Sequence, residues 1–314
     1  MFKSKCIKIT RKRKKIISFI KMNDTEVFIK WVLKFLILAV GLVGNSLSLV
    51  IFTDQRVKYK FPNRSIYITL SIVNTFYLVF LRIDFILYYF NYDLRSVSSI
   101  SMKISRYLSI SLAPITAWMN VFNTLDSLIL FRYPQFQMPR ILIIILIIAY
   151  NLVYYTPILN YTQLLNQTIT ETSTSLIDKN TETLLFTMDL VNSTVLPFIF
   201  MLLFSIMLIK TMFKLNLITD SDRSRIINNI KLAFSAIMIN LTFFVLILPV
   251  TLFNVLFILS FNVNNYVFQI SKCIYQSSFC VHFYVLILFN SIFREKLFII
   301  FKLKRKLRDN SSSI

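Results

Sequence analysis

Apolar residues in this chain come in long blocks, without the rhythm of half-buried helices or strands. Uncharged runs cover Phe35–Thr53, Ser65–Leu81, Tyr107–Leu125, Ile141–Thr170, Leu190–Ile209, Leu232–Ser271 and Cys273–Phe293. Most are long enough to cross roughly 30 Å of hydrocarbon as helices. The run from Leu232 is too long for one helix, and the polar stretch "SFNVNNY" (Ser260–Tyr266) divides it. One segment therefore ends near Leu259, and another begins near Tyr266 and takes in Lys272. Barrel strands would be shorter and alternating, and nothing here alternates. The pattern predicts an all-α membrane protein, a bundle of seven transmembrane helices.

Composition supports this class. The chain has 314 residues, 56% hydrophobic and only 16% charged, too little charge to solvate a soluble domain of this length. Its formal net charge of +21 is unevenly placed. Lys and Arg number four in 54–64, two in 132–140, five in 210–231 and seven in 294–308, eighteen on one side of the spans. The connections 91–106, 158–183 and 260–265 hold only four. By the positive-inside rule the first set is cytoplasmic, which puts the N-terminus outside and the tail inside. Charge partitioned in this way points to membrane lipid as the partner and away from nucleic acid. The chain divides into an N-terminal extracellular segment over 1–26, a seven-span domain over 27–293 and a basic cytoplasmic tail over 294–314.

The N-terminus conflicts with this orientation. Residues 1–21 carry nine basic residues and no acid, a composition that favours cytoplasmic retention. Three readings stay open: an arm that inverts the first span, a targeting segment lacking the apolar core of a signal peptide, or an upstream extension with synthesis starting at Met22. The last gives a short N-terminus with a glycosylation sequon at Asn23. Asn160, Asn166 and Asn192 also begin sequons, in or near the connection assigned outside. Asn63, Asn240 and Asn310 match the pattern where no glycosyltransferase reaches, so sequons add modest weight.

Several local patterns, in order along the spans, resemble the rhodopsin-like (class A) G-protein-coupled receptors, and most closely the divergent invertebrate orphan receptors among them. "GLVGNSLSLVIF" (Gly41–Phe52) resembles the first-span Gly-Asn pair, with Asn45 as a buried polar hub. "LSIVN" (Leu70–Asn74) resembles the second-span Leu-x-x-x-Asp, with Asn74 where the family keeps its sodium-site acid. "TLDSLILFRYP" lines up with the third-span exit, Ser/Thr-x-Asp-Arg-Tyr followed by Tyr-Pro, which here are Tyr133 and Pro134. Pro197 fits the fifth-span proline, and "FFVLILP" (Phe243–Pro249) fits the sixth-span motif, with Phe244 and Pro249 at its kink. "FNSIFREKLF" (Phe289–Phe298) resembles the turn into a short amphipathic cytoplasmic helix after the last span. The resemblance covers nearly the whole chain from Met22 to Leu307. It implies a seven-helix receptor of the plasma membrane that carries an extracellular signal to a heterotrimeric G protein.

The departures are as specific as the matches. Asp126 stands at the family's acid, but Ser127 occupies the arginine position, and a hydroxyl has neither the charge nor the reach of a guanidinium. Arg132 is the nearest basic residue in sequence and does not share a helical face with Asp126. Asp126 thus reads as the remnant of a switch whose cationic half is missing, or as a solvated helix end. The seventh-span Asn-Pro-x-x-Tyr is also changed, with His282 at the Asn position, Phe283 at the Pro and Leu286 at the Tyr. His282 is the one histidine of the chain and a candidate to complete a polar cluster with Asn45 and Asn74. It reads as a neutral structural residue before a pH sensor. With an amide at Asn74, sodium binding is expected to be weak or absent.

The remaining chemistry is sparse. Met102 and the Cys-free loop over 158–189 lack the family's extracellular disulfide, and Cys6, Cys273 and Cys280 form no framework or zinc set. No phosphate loop, metal pattern or nucleophile triad is present, so neither enzymatic activity nor a metal or cofactor is expected. Candidate ligand-pocket residues in the extracellular half are Arg82, Asp84, Asp189, Asn254 and Lys272. With no acid at the amine-binding position of the third span, the expected ligand is a peptide or small polar molecule. The same charges also fit an interface role with no ligand. Alternative functions are a seven-span chemosensory or channel-type protein, and a degenerate receptor kept as a dimer partner.

Overall fold

The computed structural model describes residues 32–55, 61–89, 99–133, 135–136, 138–157, 179–215, 223–259, 261 and 265–300. Among these residues every regular element is helical. In chain order they are α1 (Val32–Thr53), α2 (Arg64–Tyr89), α3 (Ser99–Arg132) and α4 (Arg140–Tyr154). α5 runs through Lys179–Leu190, a π turn at Val191–Val195 and Leu196–Leu215. α6 (Arg223–Ile258), α7 (Asn265–Ser277), α8 (Val281–Phe289) and α9 (291–300) follow.

The bundle is apolar outside, and its interior sets a row of buried polar groups beside apolar core clusters. On α6, Leu241, Val245, Leu248 and Leu252 form a stripe that is 52–62% exposed. Along α3, Thr116, Asn120, Asn123, Thr124 and Asp126 are all buried to 1% exposure or less. Water would select the opposite arrangement; a hydrocarbon solvent selects this one. Four helices are long and apolar enough to cross a bilayer: Val32–Thr53, Arg64–Leu81, Thr187–Phe213 and Asn229–Leu256. The bent pair Tyr266–Ser277 and Val281–Phe289 makes a fifth if it crosses as one span. The chain is therefore a multi-pass membrane protein. The uncharged runs predict seven spans, and two of those runs differ here for physical reasons. The 34 residues of α3 reach about 50 Å, long enough to cross, but its buried amides and hydroxyls lower its apolarity. α4 is apolar, but its 15 residues reach only about 22 Å.

Three irregularities shape the interior. Pro114 and Pro249 are carried inside α3 and α6. Pro197 follows the π turn, where the Leu196 N–H reaches back to the Val191 carbonyl. A proline ring collides with the carbonyl four residues earlier, here Ser193 within the turn, and the widened turn relieves that contact. The third irregularity is a 54° bend between α7 and α8, where the sequence predicts one continuous span. No proline causes it. Residues 278–280 instead form a tight turn of i to i+3 bonds, with Ser278, Phe279 and Cys280 donating to Tyr275, Gln276 and Ser277. The Ser277 hydroxyl bonds back to the Ile274 carbonyl at 2.6 Å, a contact that bends helices.

α1 seats against this bend. A Cβ on Gly41 would stand 2.3 Å from Leu78 Cδ1 and 2.7 Å from Cys280 Sγ, so any larger residue would force those side chains to shift. The Asn45 amide donates to the Phe279 carbonyl at 3.2 Å, and the Cys280 thiol donates to the Ile37 carbonyl at 3.2 Å. At the far end of α8, Asn290 is extended and its side-chain oxygen accepts the Phe293 N–H at 3.1 Å, capping α9. Its amide group donates to Ser235 of α6 at 3.0 Å. Phe52, stacked on Tyr67 at 4.8 Å and against Phe293 at 5.4 Å, closes this end of the bundle.

Candidate functional site

α3 is a polar spine whose side chains each meet a different neighbour. Near its middle the Thr116 hydroxyl donates to Asn74 Oδ1 of α2 at 2.7 Å. That fixes the Asn74 amide, so its Nδ2 faces His282 Nδ1 of α8, 3.5 Å away, as a donor. His282 Nδ1 must then accept, and the ring proton sits on Nε2, which points to Asn120 Oδ1 at 2.9 Å. The order Thr116, Asn74, His282, Asn120 makes the imidazole neutral. It leaves Asn120 Nδ2 with no partner among the described residues. Asn45, expected in the same cluster, is instead held by the Phe279 carbonyl, because the bend frees that group beside α1.

Further along α3 the pattern repeats with new neighbours. Asn123 accepts from Asn63 at 2.8 Å and donates to the Tyr67 hydroxyl at 3.2 Å. Thr124 accepts from Asn240 of α6 at 2.8 Å, and the same amide donates to Ser205 of α5 at 3.1 Å. Ser127 is 3% exposed and bonds back to the Asn123 carbonyl at 2.8 Å.

Asp126 is neither a solvated helix end nor without a cation. It is 0% exposed, and Arg140 Nε lies 3.0 Å from both carboxylate oxygens. The missing positive charge thus comes from the first residue of α4, fourteen positions on, because the chain folds back after α3. Arg132, nearest in sequence, is exposed and lies over the Tyr133 ring, 5.7 Å from its centroid. Tyr133 is 55% exposed, and Pro134 lies outside the described residues. A carboxylate this deep depends on its cation, since an uncompensated buried charge costs several kcal/mol.

On another face of its middle, α3 meets α4 and α5 in a second centre, around Asn192 of the π turn. Asn192 Oδ1 accepts from Trp118 Nε1 at 3.1 Å and from the Tyr150 hydroxyl at 3.2 Å. Its Nδ2 donates to Asn151 Oδ1 at 3.2 Å and to the Tyr155 hydroxyl at 3.4 Å. All four hydrogen-bonding positions of the amide are used. The Tyr155 hydroxyl donates in turn to Asp189 at 2.8 Å. This burial corrects the sequon reading of Asn192, whose amide is 1% exposed and has no room for a glycan. Asn63 and Asn240 are buried in the same way, at 0% and 2% exposure.

The other candidate residues are dispersed. Asp189 belongs to the seam between α4 and α5 through Tyr155, and Asn254 is half-buried on α6. The Lys272 ammonium lies over the Phe268 ring at 4.2 Å, a cation–π contact on α7. Arg82 and Asp84 fall on α2, with side chains outside the described residues. Asn23, Asn160 and Asn166 also lie outside them. Phe244 packs on Phe198 at 4.4 Å, while Pro249 is carried within α6. Cys273 and Cys280 are buried thiols, and among the described residues no three His, Cys, Asp or Glu side chains gather as a metal site.

Sequence reasoning missed Arg140, Thr116, Asn120, Asn123, Asn240 and Asn192. For α3 a signal was present: residues 116, 120, 123 and 124 are polar within an uncharged run, and Ser127 just beyond it continues spacings that share one helical face. Arg140 and Asn192 carry no such signal, since their partners are set by the packing of other helices. No family model matches the sequence, and no curated protein matches it.

Proposed function

We propose that this chain is a seven-span receptor resembling the rhodopsin-like class, set in the plasma membrane with its N-terminus outside. On this reading it passes an extracellular signal, from a peptide or small polar ligand, to a heterotrimeric G protein. The observation that carries the reading is the meeting of Asn74 and His282 against α3. Both stand at positions singled out by the resemblance, 208 residues apart in sequence. Such a junction ties three helices through exchangeable hydrogen bonds near the middle of the bundle, as a helix-moving transducer requires.

Arg140 alters the expected output of the switch. In the family the third-span arginine divides its contacts between the acid and the partner. Here Asp126 is neutralised from α4, and position 127 offers the partner only a buried hydroxyl. Basal coupling is therefore weak. The test is agonist-free nucleotide exchange on purified G-protein heterotrimers, with the full chain in nanodiscs. Wild type is expected to give a small acceleration, and Ser127→Arg a larger one, because Arg140 already occupies Asp126 and leaves the new guanidinium to the partner. If neither protein exceeds empty nanodiscs on any G-protein class, the receptor reading fails. Single-channel currents from the same preparation would favour the channel alternative.

A further inference from the structure

α8 gives way to α9 at a single extended residue, Asn290, and side chains close both helix ends there. The last carbonyls of α8 are met by Arg294, whose Nη1 donates to Ile287 at 3.2 Å and to Leu288 at 2.8 Å. The first N–H groups of α9 are met from Asn290, whose Oδ1 accepts from Phe293 at 3.1 Å. α9 covers only residues 291–300. A helix that short is marginal alone, so its order rests on this cap and on the buried side chains of Ile292 and Phe293.

The capping amide has a second partner on another helix. Asn290 Nδ2 donates to Ser235 Oγ of α6 at 3.0 Å, and the Ser235 hydroxyl donates onward to the Lys231 carbonyl at 2.7 Å. A backbone N–H can only donate, so the Phe293 contact fixes which end of the amide is oxygen. The donors then all point one way, from Phe293 through Asn290 and Ser235 to Lys231. Asn290 and Ser235 are both 0% exposed, so bulk water does not compete, and buried bonds in series strengthen one another. The oxygen and nitrogen of an amide lie in one rigid plane. If Ser235 moves away, Nδ2 is either stranded or turned to a new partner, and turning it swings Oδ1 off the Phe293 N–H.

We propose that Asn290 couples α6 to α9, so that displacement of α6 at Ser235 loosens the cap and frays the first turn of α9. Ser235 is then a positioning residue for a helix to which it gives no hydrogen bond of its own among the described residues. Whatever shifts this part of α6 also loosens the helix that leads into the basic stretch Lys302–Arg308. The inference is independent of the receptor reading, because it concerns only contacts within the folded chain.

Hydrogen–deuterium exchange of the full chain in nanodiscs tests it, read over 291–300. Ser235→Ala removes the anchor of the amide. Alanine is the better helix former and ends the back-bond to Lys231, so the variant does not weaken α6 itself. Exchange in the first turn of α9 should rise, while exchange over 140–154 of α4 stays as in the wild type. Asn290→Ala should raise the α9 exchange severalfold, and adding Ser235→Ala to it should produce no further rise, since the coupling residue is already gone. Unchanged α9 exchange in Ser235→Ala would overturn the proposal. So would a full additional rise in the double variant, or an equal acceleration over 140–154, which is general loosening of the bundle.

Discussion

The two sides of α3 solve the same problem differently. Toward α4 and α5 its polar contacts are saturated: the Asn192 amide fills all four of its positions, and Asp126 meets Arg140 through both oxygens. The Tyr107 hydroxyl adds a bond to the Leu152 carbonyl of α4. Toward α6 and α8 the contacts are fewer, and Asn120, Asn240 and Ser278 each keep an atom without a partner. A saturated network has one arrangement and resists displacement, whereas one with spare donors and acceptors can trade partners at little cost. By that argument α4 is expected to belong to the stiffer frame of the molecule, and α6 and the α7/α8 bend to its looser side.

The largest effect tests the frame at its charged point. Arg140→Gln leaves Asp126 buried without a cation and should destabilise the protein by about 3–5 kcal/mol, read as a large drop in melting temperature. Adding Asp126→Asn should recover most of that loss, because the buried charge goes with its partner. A double variant as unstable as the single one would show that Arg140 acts through packing alone.

Next comes the uncharged point of the frame. Asn192→Leu strands the Trp118 indole N–H, the Tyr150 hydroxyl and the Asn151 oxygen, and should cost about 2–4 kcal/mol. Asn120→Leu, on the other side of α3, gives up one bond to His282 and removes an orphan donor, and should cost about 1 kcal/mol or less. Comparing the two in chemical denaturation sharpens the contrast, and equal losses would abolish it. The smallest effect is at the periphery, where Asn290→Ala removes the cap of α9 and its tie to Ser235, for about 1 kcal/mol. Faster amide exchange confined to 291–300 would locate that loss.

Much of this architecture was legible in one dimension. The uncharged runs give a helical membrane protein because a bilayer demands apolar length and internally paired backbone, and both are properties of contiguous sequence. The polar residues at 116, 120, 123, 124 and 127 mark the buried face of α3 for the same reason, since helical spacing is local. The bend at 278–280 was not legible, because it needs no proline. It depends on Ser277 bonding back along its own helix and on α1 approaching through Gly41 to meet the freed Phe279 carbonyl. The sequon misled at Asn192, where an Asn-x-Ser/Thr pattern is indifferent to burial.

Asp126 shows where the division falls. The sequence by itself determined that an acid ends an uncharged run and that a serine, not an arginine, stands next to it. Only the tertiary structure decided that the acid is buried and that its cation is Arg140. Burial and pairing depend on which helices pack side by side, and the return of the chain brings the start of α4 against the end of α3. Periodicity and local charge are written along the chain; the partner of a buried charge is written across it.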